Sequence, residues 1–324
     1  MIRSRIVGTG SYLPERIMTN TELEQLVDTS DAWIRERTGI EERRIADPSQ
    51  TTGDLAVEAG LAAIAAADVD PATVDMVIVG TSTPDAVFPS TACLIQRRLG
   101  VAPDAVAMDV AAACSGFIYA LGVADRFIRT GSVKRALVIG AETFSRILNW
   151  QDRSTCVLFG DGAGAVLLEA TTEHEGIINT HLHSDGANAE LLHVPWGVSQ
   201  GYDRLVDNAG TVSMRGNEVF KVAVRTLGRL IDETLEKNGL SRSDIDWVVP
   251  HQANIRIIAA TAKKLDIPME RVVVTVQKHG NTSAASIPLA LDAAIRDGRI
   301  QRGQLLLLEA FGAGFTWGSA LVRY

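Results

Sequence analysis

Three side chains, far apart in a chain of 324 residues, have the types needed for thiol-based acyl transfer: Cys114 in MDVAAACSGF, His251 in PHQAN and Asn281 in KHGNTSAA. Cys114 stands where an apolar, strand-like run (residues 105–110) gives way to a helical pattern (residues 115–130). A thiol at the first turn of a helix lies beside unpaired amide N–H groups and the positive end of the helix dipole, which favour thiolate over thiol. The thiolate is the nucleophile. His251 directly follows a second strand-like run (245–250), and Asn281 follows a third (271–276). Ligands of α/β proteins gather at the carboxyl ends of strands, so all three fall where chemistry is expected. Singly, each has an ordinary reading. A lone Cys among alanines is a small buried hydrophobe, a His after a strand is a hydrogen-bonder, and an Asn ahead of Thr-Ser is a helix N-cap. Jointly, they match the habit of intracellular Cys enzymes, which draw His and Asn partners from distant sequence.

The elements that must position these residues come in duplicate. A helical pattern at 54–67 leads to a strand-like run at 74–80, and a helical pattern at 219–238 leads to another at 245–250. Helical segments 90–99 and 255–265 follow. Then MDVAAACSGFIYALGVADRFIRTG is echoed by VTVQKHGNTSAASIPLALDAAIRDG, VKRALVIGAETF by RGQLLLLEAFGAG, and FGDGAGAVLLEA by FTWGSALVRY. Order and spacing both repeat. Alternating strands and helices specify mainly parallel sheets with helices on their faces. The expected architecture is therefore an α/β fold of two pseudo-symmetric halves, residues 1–170 and 171–324, with helices between and around two sheets. Cys114 and Asn281 occupy nearly equivalent corners of the two halves, with His251 beside them. Residues 179–211, rich in Gly, His, Asn and Asp, break the register and are expected to form an irregular insertion.

Composition removes several classes of function. A formal net charge of -8 argues against nucleic acid as a partner. The three cysteines, Cys93, Cys114 and Cys156, have no CxxC spacing, so neither a disulfide framework nor a zinc site is indicated. His181 and His183 lack a carboxylate or Cys at ligand spacing, so no metal is expected. They, His174 and His193 read as loop or surface residues, and His279 as a bystander two residues before Asn281. The apolar runs are too short to span a bilayer, and MIRSRIVGTGSYLP contains no apolar signal core. The expectation is a cytoplasmic protein with no membrane association and no metal or redox cofactor.

Together these strings resemble the β-ketoacyl-acyl carrier protein synthase III family, the initiating condensing enzymes of bacterial type II fatty acid synthesis. The likeness is carried by DAWIRERTGI, AAACSGF, STCVLFGDGAGA, GNEVFKVAV, PHQANIRI, KHGNTSAASIPLAL and EAFGAGFTWGSALV, and covers essentially the whole chain. It implies a thiolase fold layered α-β-α-β-α, a homodimer, and a Cys114–His251–Asn281 site. It also implies condensation of an acyl-coenzyme A starter with malonyl-acyl carrier protein, the coenzyme A thioester being a substrate rather than a cofactor. Residue by residue, the resemblance assigns Trp33, Arg37 and Arg153 to the adenine and phosphate end of coenzyme A. It assigns Phe88 to the partner subunit's acyl pocket, Phe311 to a place beside the nucleophile, and Lys221, Arg256, Lys263 and Lys264 to docking of the acidic carrier protein. Lys221, Arg225 and Arg229 recur every four residues, so Arg225 and Arg229 extend that basic stripe.

Such a condensation has definite needs. Cys114 must hold the acyl group as a thioester, and the tetrahedral intermediate needs two donors, expected from the backbone amides of Cys114 and Ala313. Losing one such donor typically costs roughly 3–4 kcal/mol. Decarboxylation of malonyl leaves an enolate, whose oxygen would be met by His251 Nε2–H and the Asn281 amide. Ala313 stands where the family often has the middle of three glycines, and would be strained only at positive φ. A thiolase would need a second catalytic Cys near EAFGAGF, and a hydroxymethylglutaryl synthase a Glu adjacent to the nucleophile; the sequence offers neither. A specialised quinolone or polyketide starter synthase would carry the same three residues, whereas a non-catalytic carrier-binding protein would be expected to have lost one. The bulk of Phe88 favours a short starter such as acetyl.

Overall fold

The computed structural model describes residues 2–204 and 210–324; residues 205–209 of the expected insertion lie outside the described residues. One sheet has five strands, β1 (Arg3–Tyr12), β2 (Met76–Gly80), β3 (Val106–Val110), β4 (Arg135–Glu142) and β5 (Gly162–Thr171), in the order β1-β5-β4-β2-β3. A second has four, β6 (Gly176–Ser184), β7 (Trp247–Pro250), β8 (Leu305–Gly312) and β9 (Thr316–Arg323), in the order β7-β8-β9-β6. Strand β2 runs parallel to both neighbours and β7 parallel to β8, while the remaining pairs are antiparallel. Placing β6, β9, β8 and β7 over β1, β5, β4 and β2 makes the two orders coincide.

Strands covered on both faces must be apolar at every position, as MVIVG in β2 and the leucine run of β8 are. Their period of two divides the residues between layers. Met76, Ile78, Leu306 and Leu308 face a central layer, Val77 and Val79 an outer layer on the first sheet, and Leu305 and Leu307 an outer layer on the second. Helices α4 (Gly116–Arg129) and α7 (Ser286–Arg296) fill the central layer through Phe117, Leu121, Ile128, Ile287 and Leu291. Helix α2 (Thr52–Ala67) covers the outer face of the first sheet. Helices α5 (Gly216–Asn238) and α6 (Ile255–Lys264) cover that of the second. Two further helices, α1 (Asp31–Thr38) and α3 (Thr91–Gln96), complete the set used below. This is the α-β-α-β-α layering of a thiolase fold.

Two expectations are corrected. Residues 271–276 form no strand; the segment touches the sheet through a single bridge, Val248 to Val272. The reason is the Gln252 carboxamide, which donates to the Val273 carbonyl at 3.0 Å and accepts from the Thr275 and Val276 amides at 2.8 and 3.1 Å. A side chain thus takes the place of a neighbouring backbone. Residues 179–184, expected to be irregular, belong to β6, which pairs with β9. His181 is accordingly buried rather than on the surface, and His183 Nε2 lies 2.9 Å from a carboxylate oxygen of Glu233 on α5.

Candidate active site

Two corners of the duplicated fold meet at the site. A one-turn 3-10 segment, Ala113–Ser115, precedes α4, and another, Ser283–Ala285, precedes α7. Their first residues carry matching positive φ, 45° at Ala113 and 48° at Ser283. Such strain in non-glycine residues gathers at functional sites. The corners can sit this close to the sheet because β2 ends in Gly80, where a Cβ would collide with the Gly116 backbone. In the duplication Cys114 corresponds to Ala284, and Asn281 lies three residues ahead of it.

Cys114, His251 and Asn281 all line one cavity of roughly 200 Å³, together with Phe311 and Glu309 of β8, Phe220 of α5, and Ala253, Asn254 and Arg256 at the start of α6. His251 leaves the end of β7 with its amide bonded to the Glu309 carbonyl at 2.8 Å, and its Nδ1 lies 2.6 Å from Ser286 Oγ. Burial pushes its pKa down to about 3, so the imidazole is neutral. Asn281 is clamped by its backbone to Leu158 and Gly160, at 2.9 and 3.0 Å. Its Oδ1 accepts from the Ser283 amide at 2.9 Å, which leaves Nδ2 as a donor. The expected thiolate is corrected: burial pushes the Cys114 thiol up to about 12, against a partial opposing effect of the nearby Ser283 hydroxyl. A helix terminus typically offers ~0.3–1 kcal/mol, or up to roughly 2, which is smaller than the desolvation of a fully enclosed anion. The resting pair is therefore thiol and neutral imidazole.

The turn after β8 lies against the nucleophile. A Cβ on Gly312 would fall 2.8 Å from the Cys114 amide nitrogen. Thr316 Oγ1 lies 2.9 Å from the Ala112 carbonyl and 3.1 Å from that of Ala313, and Ser115 Oγ donates to the Thr316 carbonyl at 3.0 Å. These bonds fix the Ala313 turn relative to the Cys114 amide. Positive φ falls on Gly314 and not on Ala313, so alanine is tolerated there.

Of the residues expected to bind coenzyme A, Arg37 and Phe311 line the cavity. Trp33 is one turn from Arg37 on α1, and the Arg153 guanidinium lies 5.0 Å from its ring centroid. Phe88 does not line the cavity; it is 83% exposed on the loop after β2. Lys221, Arg225 and Arg229 are exposed along α5, and Arg256, Lys263 and Lys264 along α6. Among the described residues none of the six forms an ion pair. Arg256 stacks over Phe220 at the cavity, 5.3 Å from its centroid.

Sequence reasoning missed two buried carboxyls. Glu142, at the end of β4, is pushed up to about 7 by burial and accepts from Ser82, Thr83, Thr81 and Ser283. A Glu does therefore stand near the nucleophile, brought there by the fold rather than by sequence proximity. The Glu309 carboxyl is pushed up to about 8 by burial, and neither of its oxygens has a hydrogen-bond partner among the described residues. Among those residues no cluster of His, Cys, Asp and Glu could hold a metal ion, and no helix is long and apolar enough to cross a membrane.

A duplicated α-β-α-β-α scaffold with a buried Cys, His and Asn in one cavity defines a thiolase-fold condensing enzyme, an acyltransferase. The sequence model described as 3-oxoacyl-[acyl-carrier-protein] synthase III matches residues 108–186, and that of its C-terminal part residues 235–324. The β-ketoacyl-[acyl-carrier-protein] synthase III of Alkalilimnicola ehrlichii is 68% identical over all of both chains. The crystal structure of 3-oxoacyl-[acyl-carrier-protein] synthase III from Aquifex aeolicus superposes with a TM-score of 0.93 at 50% identity, covering 99% of this chain and 100% of the other. The priming β-ketosynthase of the R1128 polyketide pathway superposes with a TM-score of 0.92 at 37% identity, covering 98% and 95%. The chain belongs to the 3-oxoacyl-[acyl-carrier-protein] synthase III family.

Proposed function

We propose that this protein condenses a short acyl-coenzyme A starter, such as acetyl, with malonyl-acyl carrier protein, releasing carbon dioxide and forming a β-ketoacyl-acyl carrier protein that initiates fatty acid synthesis. The observation that carries the reading is the convergence of Cys114, neutral His251 and an oriented Asn281 amide on one cavity. In the first half-reaction Cys114 attacks the starter thioester while His251 Nε2 takes its proton and passes it to the departing coenzyme A sulfur. The oxyanion is met by the Cys114 and Ala313 amides. In the second, the neutral imidazole acts in its other tautomer, Nδ1 accepting from the Ser286 hydroxyl; its Nε2–H and Asn281 Nδ2–H stabilise the enolate oxygen formed on decarboxylation, and the enolate carbon attacks the acyl-Cys114 thioester.

Arg37 at the cavity suits a phosphate, and the Trp33–Arg153 pair offers a flat cationic stack for a purine. The unpaired cations of α5 and α6 suit an acidic carrier protein. The exposure of Phe88 outside its own cavity supports a role in the acyl pocket of a second copy, as a homodimer would allow. Mass spectrometry after incubation with a panel of acyl-coenzyme A thioesters tests this reading. An acyl adduct on Cys114, discharged by malonyl-carrier, is expected; no adduct on Cys114 with any thioester would overturn it.

A further inference from the structure

The two proposed half-reactions use protons differently. Loading is neutral, because the Cys114 proton ends on coenzyme A. Condensation is not. The malonyl carboxylate departs as carbon dioxide, its electron pair forms the new carbon–carbon bond, and the pair of the broken carbon–sulfur bond leaves on Cys114. That sulfur must take up one proton per turnover, and the His251 N–H is committed to the enolate oxygen.

We propose that Glu142, acting through the Ser283 hydroxyl, supplies the proton that restores the Cys114 thiol after each condensation; the inference rests on the condensing function proposed above. The Ser283 hydroxyl neighbours the Cys114 thiol, which it makes more acidic, and donates to Glu142 Oε1 at 3.1 Å. A hydroxyl has one proton to donate and two lone pairs, so it serves either neighbour. It donates to the Glu142 carboxylate at rest, and to the Cys114 thiolate when Glu142 is protonated. In the transfer the Glu142 O–H bond breaks toward Ser283 Oγ while the Ser283 proton moves to sulfur, leaving a carboxylate and a thiol. The direction is downhill, since burial raises the thiol to about 12 and Glu142 only to about 7.

The groups around Glu142 suit a donor that must be recharged. Thr81, Ser82 and Thr83 approach from the end of β2, and Ser283 from the corner before α7; all are neutral, and the titratable group facing Glu142 is the Cys114 thiol. Thr83 Oγ1 holds Oε2 at 2.7 Å, and Ser82, whose amide donates to both oxygens at 3.1 Å, is exposed on a surface loop. Solvent is thus one residue away from the side opposite Cys114.

Rapid-quench measurement of the two half-reactions in E142Q, E142D and S283A tests the proposal. Loading of Cys114 in wild type, and its discharge by malonyl-carrier, are read first; failure there sinks the condensing function itself, whatever Glu142 does. In E142Q the ratio of condensation rate to loading rate should fall by about 100-fold, the low end of general-acid effects. S283A should match it, the double variant should fall no further, and E142D should recover most of the loss. The wild-type condensation rate should decline as pH rises through about 7, and E142Q should lack that decline. An unchanged ratio would overturn the proposal. So would equal losses in loading and condensation, the mark of a merely structural carboxyl. If E142Q does not fold, S283A decides, because it leaves the bonds from Glu142 to Ser82 and Thr83 in place.

Discussion

Asn281→Asp exchanges one donor for one acceptor and changes little else. The Asn281 backbone is bonded to Leu158 and Gly160, and its Oδ1 accepts from the Ser283 amide; a carboxylate preserves all three bonds. Only the atom at Nδ2 changes, from N–H to oxygen. Losing a donor to a developing oxyanion costs about 3–4 kcal/mol of barrier. A negative charge about 4 Å from the enolate oxygen adds about 4 kcal/mol at an effective dielectric of ~20. The site resists that charge, however. Buried carboxyls nearby are pushed up, Glu142 to about 7 and Glu309 to about 8, and a protonated carboxyl at this position can donate. Malonyl decarboxylation by N281D should therefore lie at least ~1000-fold below wild type at pH 8, and climb as pH falls. N281A should be slower than wild type by ~100-fold or more, with no such climb. The assay is carbon dioxide release from malonyl-carrier across pH 5.5 to 9, with Cys114 loading as the control for folding. A decarboxylation rate for N281D within tenfold of wild type at pH 8 would refute the donor role. So would a pH profile matching that of N281A.

Three further outcomes follow from the same geometry. Glu309 is raised from 4.5 to about 8, so the folded state keeps a proton that the unfolded state loses above pH 4.5, and stability falls as pH rises toward 8. Glu309→Gln should remove that fall, gaining on wild type by about 1.4 kcal/mol per pH unit between pH 5 and 8 in chemical denaturation; parallel stability curves would contradict it. Arg256→Glu should raise the KM for malonyl-carrier by about 3- to 10-fold at low salt, the effect shrinking once the screening length drops to about 8 Å; unchanged carrier kinetics at low salt would refute it. Gly312→Ala places a methyl 2.8 Å from the Cys114 amide nitrogen, and should cut Cys114 loading by at least ~100-fold while circular dichroism stays native; normal loading would remove that amide from the oxyanion site.

The layered plan is legible in the sequence because strands enclosed on both faces must be apolar at every position. Met76–Gly80 and the leucine run 305–308 announce themselves, and the helices between them carry an apolar stripe. The outer strands Arg3–Tyr12 and Gly176–Ser184 mix Arg, Ser, Asn and His with apolar residues, and give no comparable signal. The pattern at 271–276 is strand-like, yet Gln252 satisfies its backbone from the side; composition cannot reveal a partner that is a side chain 21 to 23 residues away. The site divides in the same way. Cys114 and His251 stand just past strand ends and Asn281 at the corner before α7, and all three can be read from the repeat. Glu142 and Glu309 stand inside strand-like strings, where only the pairing of strands brings them to the nucleophile's corner or its cavity.

The thiol shows why magnitudes must decide between local and tertiary effects. A helix start argues for a thiolate, whereas full burial argues more strongly for a thiol, and the structure has both. A thiol at about 12 beside an imidazole at about 3 is inert until a thioester arrives to accept the sulfur's electrons as the proton leaves. The duplicated corner then explains how two chemistries fit one cavity. Ala113 and Ser283 hold the same strained backbone, so the two halves offer the same geometry twice. In the proposed mechanism one corner carries the nucleophile and the other the groups that serve it, Ser283 at the sulfur and the Asn281 amide at the enolate. Divergence of side chains on a repeated backbone places electrophile capture and anion stabilisation face to face, without a new backbone geometry for either.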